Sequence, residues 1–179
     1  MTATTIRQIE GAPTAYPDVP EGLSTAAAAL DADMLWQRIE TYVAHRWTER
    51  DVEWIVEGCG EWHPPLTPAT ISTVEIWRSG AWEAVSLNPS ALGGYFLPGD
   101  GPYRFQGSVG AGDPPAAVLE AFRRLAEYMA TSARGAPGTS FESVTAGSVT
   151  VSKRRDEAFA ARAMSNSGAG DLLRNYRRA

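Results

Sequence analysis

Between Asp31 and Arg46 large apolar side chains recur every three or four positions: Leu35, Ile39 and Tyr42 form a row, with Trp36 and Val43 beside it. That spacing puts them on one face of a helix. Asp31 or Asp33 is placed to cap it by accepting a hydrogen bond from a free backbone N–H, and the stripe predicts an end near Arg46. The period then falls to two. Val52, Trp54 and Val56 alternate with Asp51, Glu53, Ile55 and Glu57, as in a half-buried strand. The tract His63-Pro-Pro-Leu-Thr-Pro68 is a stiff connector to a second strand over residues 71–77. Ser79-Gly80 predicts a tight turn into a returning strand at residues 81–85, with Trp77 and Trp82 flanking the hairpin. Residues 93–97 and 102–109 read as a further pair across Pro98-Gly-Asp-Gly101, with Tyr103, Phe105 and Val109 on one face. The helical period returns after Pro114-Pro115. Val118, Phe122, Leu125 and Met129 make a stripe that Leu119 and Ala126 widen, with Asp113 as the expected cap.

These periods predict an α+β fold: a small helical bundle with an inserted antiparallel β-sheet and extended N- and C-terminal arms. The two long amphipathic helices are each other's obvious partners, because each has an apolar stripe to cover. Residues 1–22 hold Pro13, Pro17 and Pro20 without periodicity and read as an N-terminal arm. Within them and beyond, residues 22–30 are Ala-rich, with Leu23, Ala27 and Leu30 on one face of a short helix. The body spans residues 23–133, with the sheet at about 47–110. Residues 134–152 read as a flexible loop with a weakly alternating stretch at 143–152. Residues 153–179 form a basic docking arm, helical over 153–164 and again over 171–177.

Charge sharpens the division. Residues 153–179 carry seven cations against three acids, and the other 152 residues carry nine cations against eighteen acids. An acidic body therefore ends in a basic arm bearing Phe159, Met164, Leu172, Leu173 and Tyr176, a composition suited to docking. The body is expected to fold without residues 168–179. Asp171 is the expected cap of the last helical turn. One cysteine, Cys59, excludes an intrachain disulfide. No signal-like or membrane-spanning apolar run occurs, so a soluble chain made in a reducing cytoplasm is expected. Five of the six tryptophans fall in residues 47–82. They fit a sheet core better than a sugar-binding platform, with Trp54, Trp77 and Trp82 expected to be largely buried.

Chemistry is sparse. Cys59-x-x-x-His63 supplies two metal ligands where a structural zinc site needs four. His45 and His63 lack a Gly-x-Ser-x-Gly nucleophile elbow to serve. Gly107-x-x-Gly-x-Gly112 lacks the Lys-Ser/Thr of a phosphate loop and reads as a strand-to-helix joint. Glu53, Glu57 and Glu61 read as surface charge rather than a glycosidase pair. No enzyme, cofactor or metal is expected.

The chain resembles the head–tail connector (adaptor) proteins of tailed phages, and is most similar to those of gene transfer agents and phages of GC-rich bacteria. The resemblance rests on the order of Arg38-Ile-Glu-Thr-Tyr42, Pro64-Pro-Leu-Thr-Pro68, Thr73-Val-Glu-Ile-Trp77, Tyr103-Arg-Phe-Gln106, the Pro-Pro that opens the helix at 116–130, and Ser167-Gly-Ala-Gly-Asp-Leu-Leu-Arg-Asn-Tyr-Arg177-Arg178. It covers most of residues 23–178, and the Leu-Leu-Arg-x-Tyr-Arg ending is its most specific part. It implies a structural virion protein assembled in the bacterial cytoplasm and located in the neck. Copies would form a ring, of about twelve subunits, that joins the portal protein to a stopper or tail-completion protein. DNA would pass through the channel without specific binding. Leu172, Leu173, Arg174, Tyr176, Arg177 and Arg178 are the expected portal-binding residues. Two rival readings follow from the residues alone: a nucleic-acid-binding protein using the Arg-rich arm, and a Trp-rich carbohydrate-binding module.

Overall fold

The computed structural model describes residues 2–91, 93–132, 141–146, 149–154 and 159–177, with the backbone alone for 132, 141–146 and 149–154. Helices and antiparallel sheets are both present, so the chain is α+β. It divides into two compact units that interleave in sequence. The first comprises Met1–Pro17 and Ala44–Asp113, and the second Asp18–Val43 and Pro114–Arg177. In sequence, Ala44–Asp113 of the first unit separates the two stretches of the second, and Met1–Pro17 precedes them both.

The first unit holds strands β1 (Thr4–Glu10), β2 (Arg50–Glu57), β3 (Gly60–Trp62), β4 (Ala69–Arg78), β5 (Ala81–Ala84), β6 (Asn88–Pro89), β7 (Tyr95–Leu97) and β8 (Tyr103–Val109). Five form one antiparallel sheet in the order β1-β2-β8-β4-β5, and three form another in the order β3-β7-β6. The alternation in β2 is obeyed: Val52, Trp54 and Val56 are buried between more exposed neighbours. Tyr103, Phe105 and Val109 of β8 share that buried face. Trp62 and Leu97 enter the same core from the smaller sheet, and the Trp62 ring stacks on Phe105 at 4.1 Å. The β4–β5 hairpin turns as predicted. Ser79 and Gly80 both take positive φ, 51° and 85°, which matches the twist of the strands they join.

Two expectations about this unit fail. Residues 4–10 are not an arm but an edge strand of the larger sheet. Their apolar pattern gives no sign of it, because the side chains facing the core are polar. Thr5 Oγ1 accepts from Trp62 Nε1 at 2.9 Å, and Gln8 Oε1 accepts from Trp54 Nε1 at 2.8 Å. Glu10 takes Arg46 at 2.5 Å and Arg50 at 3.2 Å. Nor do residues 93–97 and 102–109 form a hairpin. β7 pairs with β3 and β6, while β8 runs between β2 and β4 in the other sheet, so the Pro98–Gly101 link crosses between sheets. A β-bulge in β4 brings the backbone of Thr70 so close to Gly107 that a Cβ there would collide with its carbonyl.

The second unit holds α1 (Thr25–Ala28), α2 (Ala32–Tyr42), α3 (Ala116–Ser132), the hairpin β9 (Phe141–Ala146) and β10 (Val149–Arg154), α4 (Ala163–Asn166) and α5 (Ala169–Leu172), followed by a 3₁₀ turn at Arg174–Tyr176. Asp31 caps α2, accepting from the Asp33 and Met34 amides at 3.0 and 3.3 Å. Helix α2 stops at Tyr42, short of Arg46, because Val43 is extended and the Arg46 amide instead donates to Thr67 O. The two long stripes do face each other: the Trp36 and Phe122 rings lie 4.9 Å apart, both fully buried. Asp113 is not the cap of α3. The helix begins at Ala116, and the Pro115 carbonyl accepts its first amides, from Val118 and Leu119. Helix α1 is capped by Ser24, whose N and Oγ both donate to the Glu127 carboxylate of α3, at 2.6 and 2.8 Å. Those bonds hold the Glu127 carboxyl below its usual range.

The expected flexible loop at 134–152 contains much of the β9–β10 hairpin, and the helix expected at 153–164 is replaced at its start by the end of β10. Residues 134–140, 147–148 and 155–158 lie outside the described residues.

Candidate functional site: the C-terminal segment

The last described residues lie on the second unit rather than standing away from it. Phe159 stacks on Tyr128 at 4.1 Å with the rings 10° from parallel, and Asn166 Nδ2 donates to the Tyr128 hydroxyl at 2.8 Å. Arg38 reaches from α2 to donate to the Ala160 carbonyl. Ala163, Ala169 and Leu173 are fully buried, and α5 packs against α3. The small residues of the Ser-Gly-Ala-Gly tract make this close approach possible. Gly168 supplies a left-handed turn at φ 73°, and a Cβ at Gly170 would sit 2.8 Å from the Tyr42 hydroxyl.

The structure thus separates the expected portal-binding residues. Leu173 is a core residue and presents no free surface, which overturns the expectation that residues 168–179 could be removed without harming the body. Leu172 and Tyr176 are half-buried, four positions apart on successive helical turns. Arg174 is exposed and bonds Asp171 at 2.6 Å. That pairing, with Gly168 at the helix start, replaces the expected capping by Asp171. The Arg177 guanidinium stands 4.6 Å over the Tyr42 ring and donates to its hydroxyl at 3.2 Å. Arg178 lies outside the described residues. The segment is therefore an anchored turn: Leu173 holds it from below, Arg177 pins its end, and Leu172, Arg174 and Tyr176 remain at or near the surface.

Within the first unit the tryptophans divide. Trp54 and Trp62 are core residues, but Trp77 is 43% exposed and meets the half-buried Trp82 edge-on, at 65° and 5.2 Å. The expectation that Trp77 is buried fails. Its strand continues beyond the core, and it sits on the opposite face from Ile76. Arg104 covers Trp82 at 4.7 Å and bonds Glu75. Coplanar rings, the geometry of a sugar platform, are not what this pair provides. His45 packs against Trp47 at 5.0 Å, and burial, then the charge of Arg46, hold its pKa below the ordinary histidine value. Glu53 accepts from Gln106, and Glu61 from Ser90. Among the described residues no three His, Cys, Asp or Glu side chains are grouped to hold a metal, and no helix is long and apolar enough to cross a membrane.

The Glu10–Arg46–Arg50 cluster was not visible in the sequence. Its members are up to 40 positions apart, and only the pairing of β1 with β2 brings them together. The chain matches no protein-family model and no curated protein.

Proposed function

We propose that this chain is a head–tail adaptor: a structural virion protein whose copies form a ring between the portal of a DNA-filled head and the stopper or tail. The observation that carries the reading is the anchored C-terminal turn. Its Leu-Leu-Arg-x-Tyr-Arg sequence is the part most similar to the adaptors. In this chain it is held by Leu173 with Leu172, Arg174 and Tyr176 on the outer side. Aromatic and Arg anchors commonly dominate an interface, whereas rim ion pairs add about 0–1 kcal/mol each. In this reading the helices of the second unit are a small bundle forming the ring wall, and the portal accepts Leu172 and Tyr176 in an apolar recess.

Charge supports a conduit. Residues 1–152 carry eighteen acids against nine cations. An acidic lumen does not hold the phosphate backbone by counterion release, so DNA passes without being retained. The tail cations fit a nucleic-acid grip poorly, because Arg174 and Arg177 are already engaged by Asp171 and Tyr42.

The test is complementation with a Leu172→Ala/Tyr176→Ala variant, scored by particle morphology and DNA transfer, with thermal unfolding as the folding control. Tailless, DNA-leaking heads from a normally folded variant are expected, since even about 1 kcal/mol per subunit is multiplied around a ring. Normal tailed particles would remove the segment from the mechanism.

A further inference from the structure

We infer that β1 is exchanged between copies of this chain: the strand of one copy takes the place of its counterpart on the β2 edge of another. The covalent route from β1 to its own sheet permits this. Strand β1 and residues 11–17 belong to the sheet unit, but the chain leaves for the helical unit at Asp18 and returns only at Ala44. Residues 11–17 contain no helix or strand and include Pro13 and Pro17. Fully extended, a link of that length reaches about 24 Å, far enough to carry β1 to a neighbouring sheet.

Strand β1 also gives its own sheet little apolar burial. None of its residues is buried, and Ile6 and Ile9 are 57% and 44% exposed. Its ladder with β2 shifts register between Thr5 and Arg7. Its side-chain attachments are polar: Thr5 accepts from Trp62, Gln8 from Trp54, and Glu10 from Arg46 and Arg50. All of these, and the ladder, are remade when the same strand arrives from another copy. Exchange therefore forfeits none of the contacts that seat the strand.

The same bonds select the occupant. The seat of β1 presents two indole N–H groups and two guanidiniums, so an incoming strand needs acceptors at its three inward positions. An apolar segment would take those partners away without replacing them. The β1 sequence supplies all three acceptors in register, and a second copy of this chain carries it unchanged. Gly58 adds a steric condition at the start of the strand, because a Cβ there would stand 2.5 Å from the Thr2 carbonyl oxygen. Exchange is reciprocal between two copies, or it runs from copy to copy into a ring or a filament. In an adaptor it would stitch neighbours in the ring, but the argument rests on β1 and its seat alone.

The test mixes two full-length proteins, both carrying Cys59→Ser to remove the only native thiol. One adds Thr4→Cys and an affinity tag, and the other adds Glu57→Cys. Thr4 and Glu57 are exposed partners across the β1–β2 ladder, so exchange seats one cysteine against the other between chains. The proteins are incubated together at concentrations up to the solubility limit and mildly oxidised. Mixed disulfide dimers are then resolved by non-reducing electrophoresis. A mixture of Thr4→Cys with Asp51→Cys measures random collision, because Asp51 lies beyond the other end of the ladder. Circular dichroism confirms folding. The expected result is several-fold more mixed dimer from the 4/57 mixture than from the 4/51 mixture. An excess of a peptide of residues 2–11 should suppress it, and the same peptide with Gln8→Ala and Glu10→Ala should not. Equal yields from the two mixtures, or an equal response to the two peptides, would overturn the exchange. No portal enters the measurement, so its result is independent of the adaptor reading.

Discussion

Trp54 and Trp77 stand in one sheet with a single strand between them, and the sheet treats them oppositely. Trp54 is fully buried with its N–H spent on Gln8, so Trp54→Ala should cost about 3–5 kcal/mol. Trp77 lies on the outer face, and Trp77→Ala should change stability by no more than about 1 kcal/mol. Urea unfolding of the two variants checks both, and equal losses would mean that the outer face is covered. His45 gives the sheet unit a pH dependence. Its pKa is lowered by burial and by Arg46, so the folded state binds fewer protons than the unfolded one in the window below the ordinary value of 6.5. The stability linked to neutral His45 is therefore complete above that value and is lost as pH falls through the lowered one. Unfolding midpoints should fall as the pH is lowered below the ordinary histidine value of 6.5, and His45→Gln should flatten that part of the curve.

At the scale of the element, the C-terminal turn joins two jobs that the sequence lists side by side. Leu173 is a core side chain, and Leu173→Ala should cost about 2–5 kcal/mol and loosen the helical unit. Leu172 is half-buried, and Leu172→Ala should cost less than half as much while impairing docking. Thermal unfolding paired with portal-ring binding separates them. If both leucines affected stability alike, the division between anchor and contact would fail. The edge strand β1 shows a related division. Its inward positions are polar because they serve indole and guanidinium groups, which leaves its isoleucines outside.

For the whole molecule, the adaptor reading predicts assembly on a template. Sedimentation of the purified chain should show monomer in weak, concentration-dependent association, and ring formation when portal rings are added, because a heterologous contact closes only at the right rotation. Stable rings without portal, or binding to a tail component with none to the portal, would contradict it.

What the sequence determined by itself is local. Periodicity gave the two long helices and strands β2, β4 and β8. Ser79-Gly80 gave the hairpin turn, and Asp31 one of two candidate caps. These follow from neighbouring residues, where spacing and backbone preference act directly. The tertiary structure decided what depends on distant partners. Thr4–Glu10 is a strand only because β2 accepts it, and Glu10 meets Arg46 and Arg50 only after that pairing. β7 and β8 went to different sheets because strand pairing is settled across the whole unit, not by the shortest connection. Leu172 and Leu173 are identical and adjacent in the sequence. Which of them is an anchor was fixed by the packing of α5 on α3 and by the room that Gly170 leaves beside Tyr42.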